Sequence, residues 1–250
     1  MTRGGVRGLL IRVARTLALG LLLGAAVFWW RMQAIGTERL EEVKSRVEAP
    51  LRNGLQAAGL RFGTPVFVRI FKEENELELW LERKPGERWQ KWKTWKIANF
   101  SGKLGPKLRE GDMQAPEGFY EVGIKQLNPL SHYHLSFNLG YPNAFDRHHG
   151  RTGSLIMLHG SNVSVGCFAM TDPVIEEIYL LVEAALKGGQ KAVPVHVFPF
   201  RLTQERLAVA AGEEWEAFWR EELLPGYAAF EASAVPPKVE ARDGHYRVAD

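Results

Sequence analysis

The chain of 250 residues has a single cysteine, Cys167, so no intrachain disulfide can staple it and any cysteine chemistry rests on one thiol. It also lacks a dominant charge. With 32 basic against 29 acidic side chains, the formal net charge is +3, too mild to point to a nucleic-acid binder. Internal repeats and low-complexity tracts are missing as well. What is present is core-forming material. The hydrophobic share is 46%, with eight Trp and thirteen Phe, and the length suits one main domain with appendages.

The first fifteen residues hold Arg3, Arg7, Arg12 and Arg15 and no acid, and residues 16–30 then run uncharged. This is the layout of a basic n-region and an apolar h-region. As helix the uncharged run covers ~22 Å against a ~30 Å hydrocarbon core, so a span requires Arg12 and Arg15 to snorkel. No small-x-small cleavage site is evident, and Trp29-Trp30-Arg31 reads as an interfacial belt. The expectation is an uncleaved signal anchor over residues 1–33, with everything after Arg31 on the outer side of the membrane.

Leu40, Val43, Val47, Leu51 and Leu55 recur at helical intervals, with Pro50 interrupting and Gly59 as a stop, predicting a helical linker over residues 34–63. Strand-like runs follow at 66–71, 76–81, 94–100, 118–124, 134–139, 154–159 and 193–198, separated by Gly- and Pro-containing turns. One helix breaks the series: Thr171 or Asp172 as cap, Pro173 in the first turn, an apolar face from Val174 to Ala185, and Gly188-Gly189 as terminator. Residues 64–203 thus read as a mainly β domain with α, an α+β fold. Residues 204–250 read as a helical extension, from Thr203 to Glu222, followed by a polar tail after Pro236-Pro237.

The chemistry concentrates in residues 155–172. A strand delivers His159, a short loop follows, and Gly166 precedes the only thiol. A free cysteine is only a few per cent thiolate at neutral pH, so a nucleophilic one needs an adjacent base; His159 stands where one is required. Gly166 removes bulk beside the sulfur, and backbone N–H groups around Gly166-Cys167 suit an acyl-transfer oxyanion.

These residues resemble the L,D-transpeptidase (YkuD-type) catalytic domain, whose core pattern is His-Gly, a loop, then Ser-x-Gly-Cys. Here it stands as His159-Gly160 and Ser164-Val165-Gly166-Cys167. The continuation to Asp172 is similar to the YafK-like branch, as are residues 101–107, Gly111-Asp112, 116–120, 136–142 and 197–201. The resemblance implies a β-sandwich or barrel catalytic domain that needs no cofactor. In it Cys167 attacks a peptidoglycan stem-peptide carbonyl, His159 shuttles the proton, the Gly160 carbonyl or nearby backbone orients the imidazole, and Ser164 and Gly166 support the loop. Tyr141 and Asp146 are candidates for a substrate groove. Many relatives carry a His before the Gly-Cys and an Arg two residues after the Cys, where this chain has Val165 and Ala169; the lost Arg is a natural carboxylate partner. The branch includes a protein that releases lipoprotein from peptidoglycan. An amidase using the same nucleophile is therefore the alternative, with an envelope lipoprotein as partner. The implied location is the inner membrane, with the catalytic domain in the periplasm.

Other readings compete. His132, His134, His148, His149 and Asp112 or Asp146 could form a zinc site, although the transpeptidase reading implies no metal. The aromatic and basic run from Trp80 to Lys96 could stack on nucleic acid or contact glycan, but a hairpin with a solvated basic face is the simpler account. The envelope address argues against nucleic acid. A non-catalytic wall-binding module is the third function.

Overall fold

The computed structural model describes residues 3–249. Helix α1 is a single element, Arg3–Ala57, and the chain divides into an N-terminal unit ending at Glu42 and a main unit beginning at Val43. In the N-terminal unit Leu21, Leu22, Leu23, Phe28, Trp29 and Trp30 are exposed. Among the described residues no helix is long and apolar enough to cross a membrane. The spanning anchor therefore gains no support from the structure: the apolar run is short and arginine flanks it on both sides. In the main unit α1 continues through Pro50 without a break. A helix-interior proline costs about 3 kcal/mol or more, and the burial of Val43, Leu51 and Leu55 offsets it.

A five-stranded sheet follows, built from β1 (Val66–Phe71), β2 (Glu76–Leu81), β3 (Gln90–Lys96), β4 (Gly118–Val122) and β9 (Val193–Phe198). Its order is β3-β2-β1-β9-β4, with β1 and β9 parallel and the other pairs antiparallel. All six residues of β1 are buried, as expected of a central strand covered on both faces. A second sheet carries β5 (Leu127–Asn128), β6 (Ser136–Asn138), β7 (Met157–His159) and β8 (Phe168–Ala169) in that order, with β7 and β8 parallel. Two of its strands are shorter than the apolar runs suggest. Leu155 and His134 have φ of 53° and 67°, a left-handed backbone that cannot continue a ladder.

The helices are α2 (Ala144–His148), α3 (Asp172–Lys187), α4 (Gln204–Val209) and α5 (Leu224–Ser233), with a π-helical turn at Phe218–Leu223 ahead of α5. Thr171 is the N-cap of α3 but its side chain makes no capping hydrogen bond; the Asp172 carboxylate accepts from Ser161 N–H instead, at 2.7 Å. The expected polar tail is folded. β10 (Val239–Arg242) and β11 (His245–Val248) form a hairpin turned by Asp243-Gly244, both at positive φ, the pair a tight hairpin favours. Tyr246 of this hairpin stacks on Phe145 at 4.2 Å between ring centres and its hydroxyl accepts from Asn143 Nδ2 at 2.7 Å. The C-terminal extension is thereby part of the core, joined to Phe119, Phe198 and Phe200.

Candidate active site

β7 ends on His159, and Cys167 immediately precedes β8, the parallel neighbour of β7. The register pairs His159 with Ala169 and Leu158 with Phe168. Met157 N–H points at the Cys167 sulfur at 3.4 Å, and the thiol reaches the Leu155 carbonyl at 3.6 Å. β8 is held from its other side too, by Ala169 N–H to Asn99 O at 2.9 Å and Ala98 N–H to Ala169 O at 2.8 Å. The thiol is half-buried.

His159 is buried, and its Nδ1 lies 2.6 Å from the carbonyl of Gly160. A carbonyl can only accept, so Nδ1 carries the proton and the neutral ring presents its lone pair at Nε2. Burial holds the imidazole below its ordinary pKa, opposed by the bond to Gly160. Burial pushes the Cys167 thiol up, opposed by the Met157 N–H and the positive charge of Lys107. Both shifts favour the uncharged pair, thiol and neutral imidazole.

The turn after His159 tolerates only glycine. A Cβ at Gly160 would lie 2.5 Å from Asp172 Oδ1 and 2.8 Å from the Tyr133 carbonyl. The Tyr133 ring packs on His159 at 4.7 Å. Its neighbour His134 bonds Glu176 Oε1 through Nε2 at 2.6 Å, and that buried carboxylate also takes both terminal nitrogens of Arg46 on α1. The wall behind the imidazole is thus tied to α3 and to the main-unit part of α1.

Residues 101–115 form a loop beside Cys167 that the sequence reading did not single out as part of the site. Ser101 Oγ accepts from Gly166 N–H at 2.6 Å; Gly166, at φ 80°, therefore spends its donor on Ser101, a correction to its expected oxyanion role. Ser164 Oγ donates to the Cys167 carbonyl at 2.6 Å. Lys107 is buried and donates to Arg109 O and Asp112 Oδ1. A cleft of about 150 Å³ opens here, with Lys107, Glu110, Met113, Leu155, Val165 and Gly166 in its lining.

Tyr141 and Asp146 are not groove residues. Asp146 is fully buried, accepting from Arg151, Tyr120 and the Asn143 N–H. The Tyr141 hydroxyl sits between the carbonyls of Lys107 and Thr152, at 3.1 and 3.2 Å, donating to one at a time. Both brace the loops around the cleft from beneath. The zinc reading also fails: no group of three His, Cys, Asp or Glu suited to a metal exists among the described residues. His134 goes to Glu176, His149 to Gly244 O at 2.8 Å, and Asp112 to Lys107. The run from Trp80 to Lys96 is the β2–β3 hairpin, whose Lys91, Lys93 and Lys96 pair with Glu78, Glu177 and Glu76.

Comparison with known proteins agrees with the motif. The profile of the YkuD L,D-transpeptidase catalytic domain matches residues 72–197. The Escherichia coli K12 protein named "Putative L,D-transpeptidase YafK" is 46% identical over 186 residues, 74% of each chain. Among solved structures, the helical cell shape determining protein Pgp2 of Campylobacter jejuni is 21% identical over 72% of this chain and 73% of its own, with a TM-score of 0.44. Bd1075 of Bdellovibrio bacteriovorus is 28% identical over 56% of this chain and 49% of its own, with a TM-score of 0.39. From the profile match and the identity to the Escherichia coli protein, the chain belongs to the L,D-transpeptidase catalytic domain family.

Proposed function

We propose that the chain is a peptidoglycan-acting acyltransferase of the cell envelope with Cys167 as nucleophile and His159 as base. The observation that carries this reading is the tautomer: Nδ1–H is committed to the Gly160 carbonyl, so Nε2 is the lone pair left to act as base. Because the resting pair is uncharged, the sulfur gives its proton to Nε2 as it attacks the stem-peptide carbonyl, forming the S–C bond and a tetrahedral oxyanion. With Gly166 N–H engaged, the backbone N–H of Cys167 is the proposed donor to that oxyanion. Collapse breaks the C–N bond, and the imidazolium returns its proton to the departing amine. An acceptor amine then attacks the thioester, loses its proton to His159, and releases the thiol with a new amide bond. Water in place of the amine would give a carboxylate, the amidase outcome. The cleft along Lys107 and Leu155 is the proposed seat of the donor peptide. The N-terminal apolar stretch belongs to the proposal as the means of holding the domain at the outer face of a membrane.

Purified muropeptides incubated with the protein and an added diamino acid, followed by mass spectrometry, test the reading. A new amide to the diamino acid supports transpeptidation, and a free carboxylate alone replaces it with the amidase. Turnover that survives Cys167→Ala refutes both.

A further inference from the structure

The backbone leading to Cys167 is not held by burial. Val163 and Val165 are 54% and 70% exposed, so this stretch gains little from packing. Gly166 has a φ of 80°, a conformation glycine adopts without steric cost. Apart from its chain neighbours, an added Cβ there would meet nothing nearer than Gln114 O at 3.6 Å and Ile156 Cδ1 at 3.7 Å, so sterics leave its dihedrals loose. Hydrogen bonds hold it instead. Ser101 Oγ accepts from Gly166 N–H at 2.6 Å, and Ser164 Oγ donates to the Cys167 carbonyl at 2.6 Å. The first fixes the peptide plane before Gly166 and the second fixes the plane after Cys167. The plane between them carries the Cys167 N–H, the proposed oxyanion donor, and is thus held from both sides.

Ser164 belongs to the same turn as Cys167, whereas Ser101 stands on a separate, internally braced segment. Its hydroxyl donates to Met113 O at 2.6 Å, and its carbonyl accepts from Ala115 N–H at 3.0 Å, which closes residues 101–115 into a loop. Inside that loop the Gln114 amide donates to the carbonyls of Lys103 and Gly105, at 2.6 and 2.8 Å, and accepts from Lys103 N–H at 2.9 Å. Asp112 accepts from the N–H groups of Leu108, Arg109 and Gln114, at 2.9–3.0 Å. At the base, Gly105 N–H donates to the buried Glu117 at 2.7 Å. The loop is a stiff support, and with its proton spent on Met113 the Ser101 oxygen meets Gly166 as an acceptor. We propose that Ser101 is a positioning residue for the reaction at Cys167: it sets the Gly166 backbone so that the Cys167 N–H meets the oxyanion as it forms. An oxyanion donor is effective when its direction is fixed before the charge develops, and glycine cannot supply that fixity by itself. This role rests on the acyl-transfer reading of the site and gives the 101–115 loop a part in it beyond walling the cleft.

The test compares the full chain with its Ser101→Ala and Ser101→Thr variants. Ser101→Ala should lower kcat for stem-peptide cleavage about 10²-fold with KM changed less than about twofold. Ser101→Thr keeps the oxygen and should restore most of the loss. Alkylation of Cys167 by iodoacetamide is a displacement that builds no oxyanion, so its rate and pH dependence should be the same in all three proteins. By nuclear magnetic resonance, the Gly166 amide proton should exchange with solvent slowly in the wild type and in Ser101→Thr, and fast in Ser101→Ala. The proposal is overturned if Ser101→Ala keeps wild-type kcat, if Ser101→Thr is as damaged as Ser101→Ala, or if Gly166 exchange is unchanged. It is equally overturned if alkylation falls in step with turnover, because Ser101 would then act on the exposure of the sulfur or on the fold. A wild type without turnover, or turnover that survives Cys167→Ala, refutes the acyl-transfer reading itself. Full activity of Ser101→Ala beside an inactive Cys167→Ala refutes the positioning role alone.

Discussion

Replacing Lys72 by Met should be among the most destabilising single changes in the chain. Lys72 and Glu117 are both completely buried, 2.9 Å apart. The ammonium also donates to the carbonyls of Gly105 and Ala115, at 2.9 and 3.1 Å. The carboxylate accepts from Gly105 N–H at 2.7 Å and from Trp219 Nε1 at 2.8 Å. One ion pair therefore joins the end of β1, the 101–115 loop and the C-terminal extension. Burial pulls the lysine's pKa down, and Glu117 opposes the shift; the pair is a buried charge balanced by its partner. Removing the cation leaves the Glu117 carboxylate buried with neutral donors only, which costs about 3–5 kcal/mol. At about 2–4 °C per kcal/mol for a chain of this size, the melting temperature by circular dichroism should fall by roughly 6–20 °C. Lys72→Met combined with Glu117→Leu should recover part of the loss, because the orphaned charge is gone. A drop below about 2 °C for the single variant, or a double variant as damaged as the sum of the singles, would refute the reasoning.

Three further outcomes follow from the site. Since burial raises the Cys167 thiol, and only the thiolate reacts with a small alkylating agent, labelling near neutral pH should be slower than for a free cysteine. It should climb about tenfold per pH unit to beyond ~8.5, and a plateau at neutral pH, the mark of a preformed ion pair, would sink the general-base mechanism. Gly160→Ala should displace the carbonyl that fixes Nδ1 and lower turnover by about 10² with the far-ultraviolet spectrum unchanged; wild-type turnover would show that the contact is irrelevant. Glu176→Gln removes the charge shared by Arg46 and His134. With Arg46 half-exposed, the loss should be about 1 kcal/mol in stability, with a several-fold fall in kcat and little change in KM; a KM effect alone would place Glu176 outside the positioning of His159.

The local signals were sufficient for the long elements. Alternating or continuous apolar runs predicted β1, β2 and β9 to the residue, and Pro173 with Gly188 bracketed α3, because burial and backbone stereochemistry act within a few residues. The hairpin of β10 and β11 was equally legible in Asp243-Gly244 and was read as tail. The His159-Gly160 and Ser164–Cys167 pattern is likewise a local signal, carried by residue type and spacing alone. What tertiary structure alone decided was who meets whom. β8 is two residues long, too short for periodicity, and exists only because β7 and residues 98–99 pair with it. Asp146, Tyr141 and His134 look like site residues in a linear reading, yet Arg151, the Lys107 carbonyl and Glu176 claim them. Ser101 reaches Gly166 across 65 positions. Hydrogen-bond partners at such separations are set by chain packing, so residue type determined the chemistry available and the fold determined which of it faces the cleft.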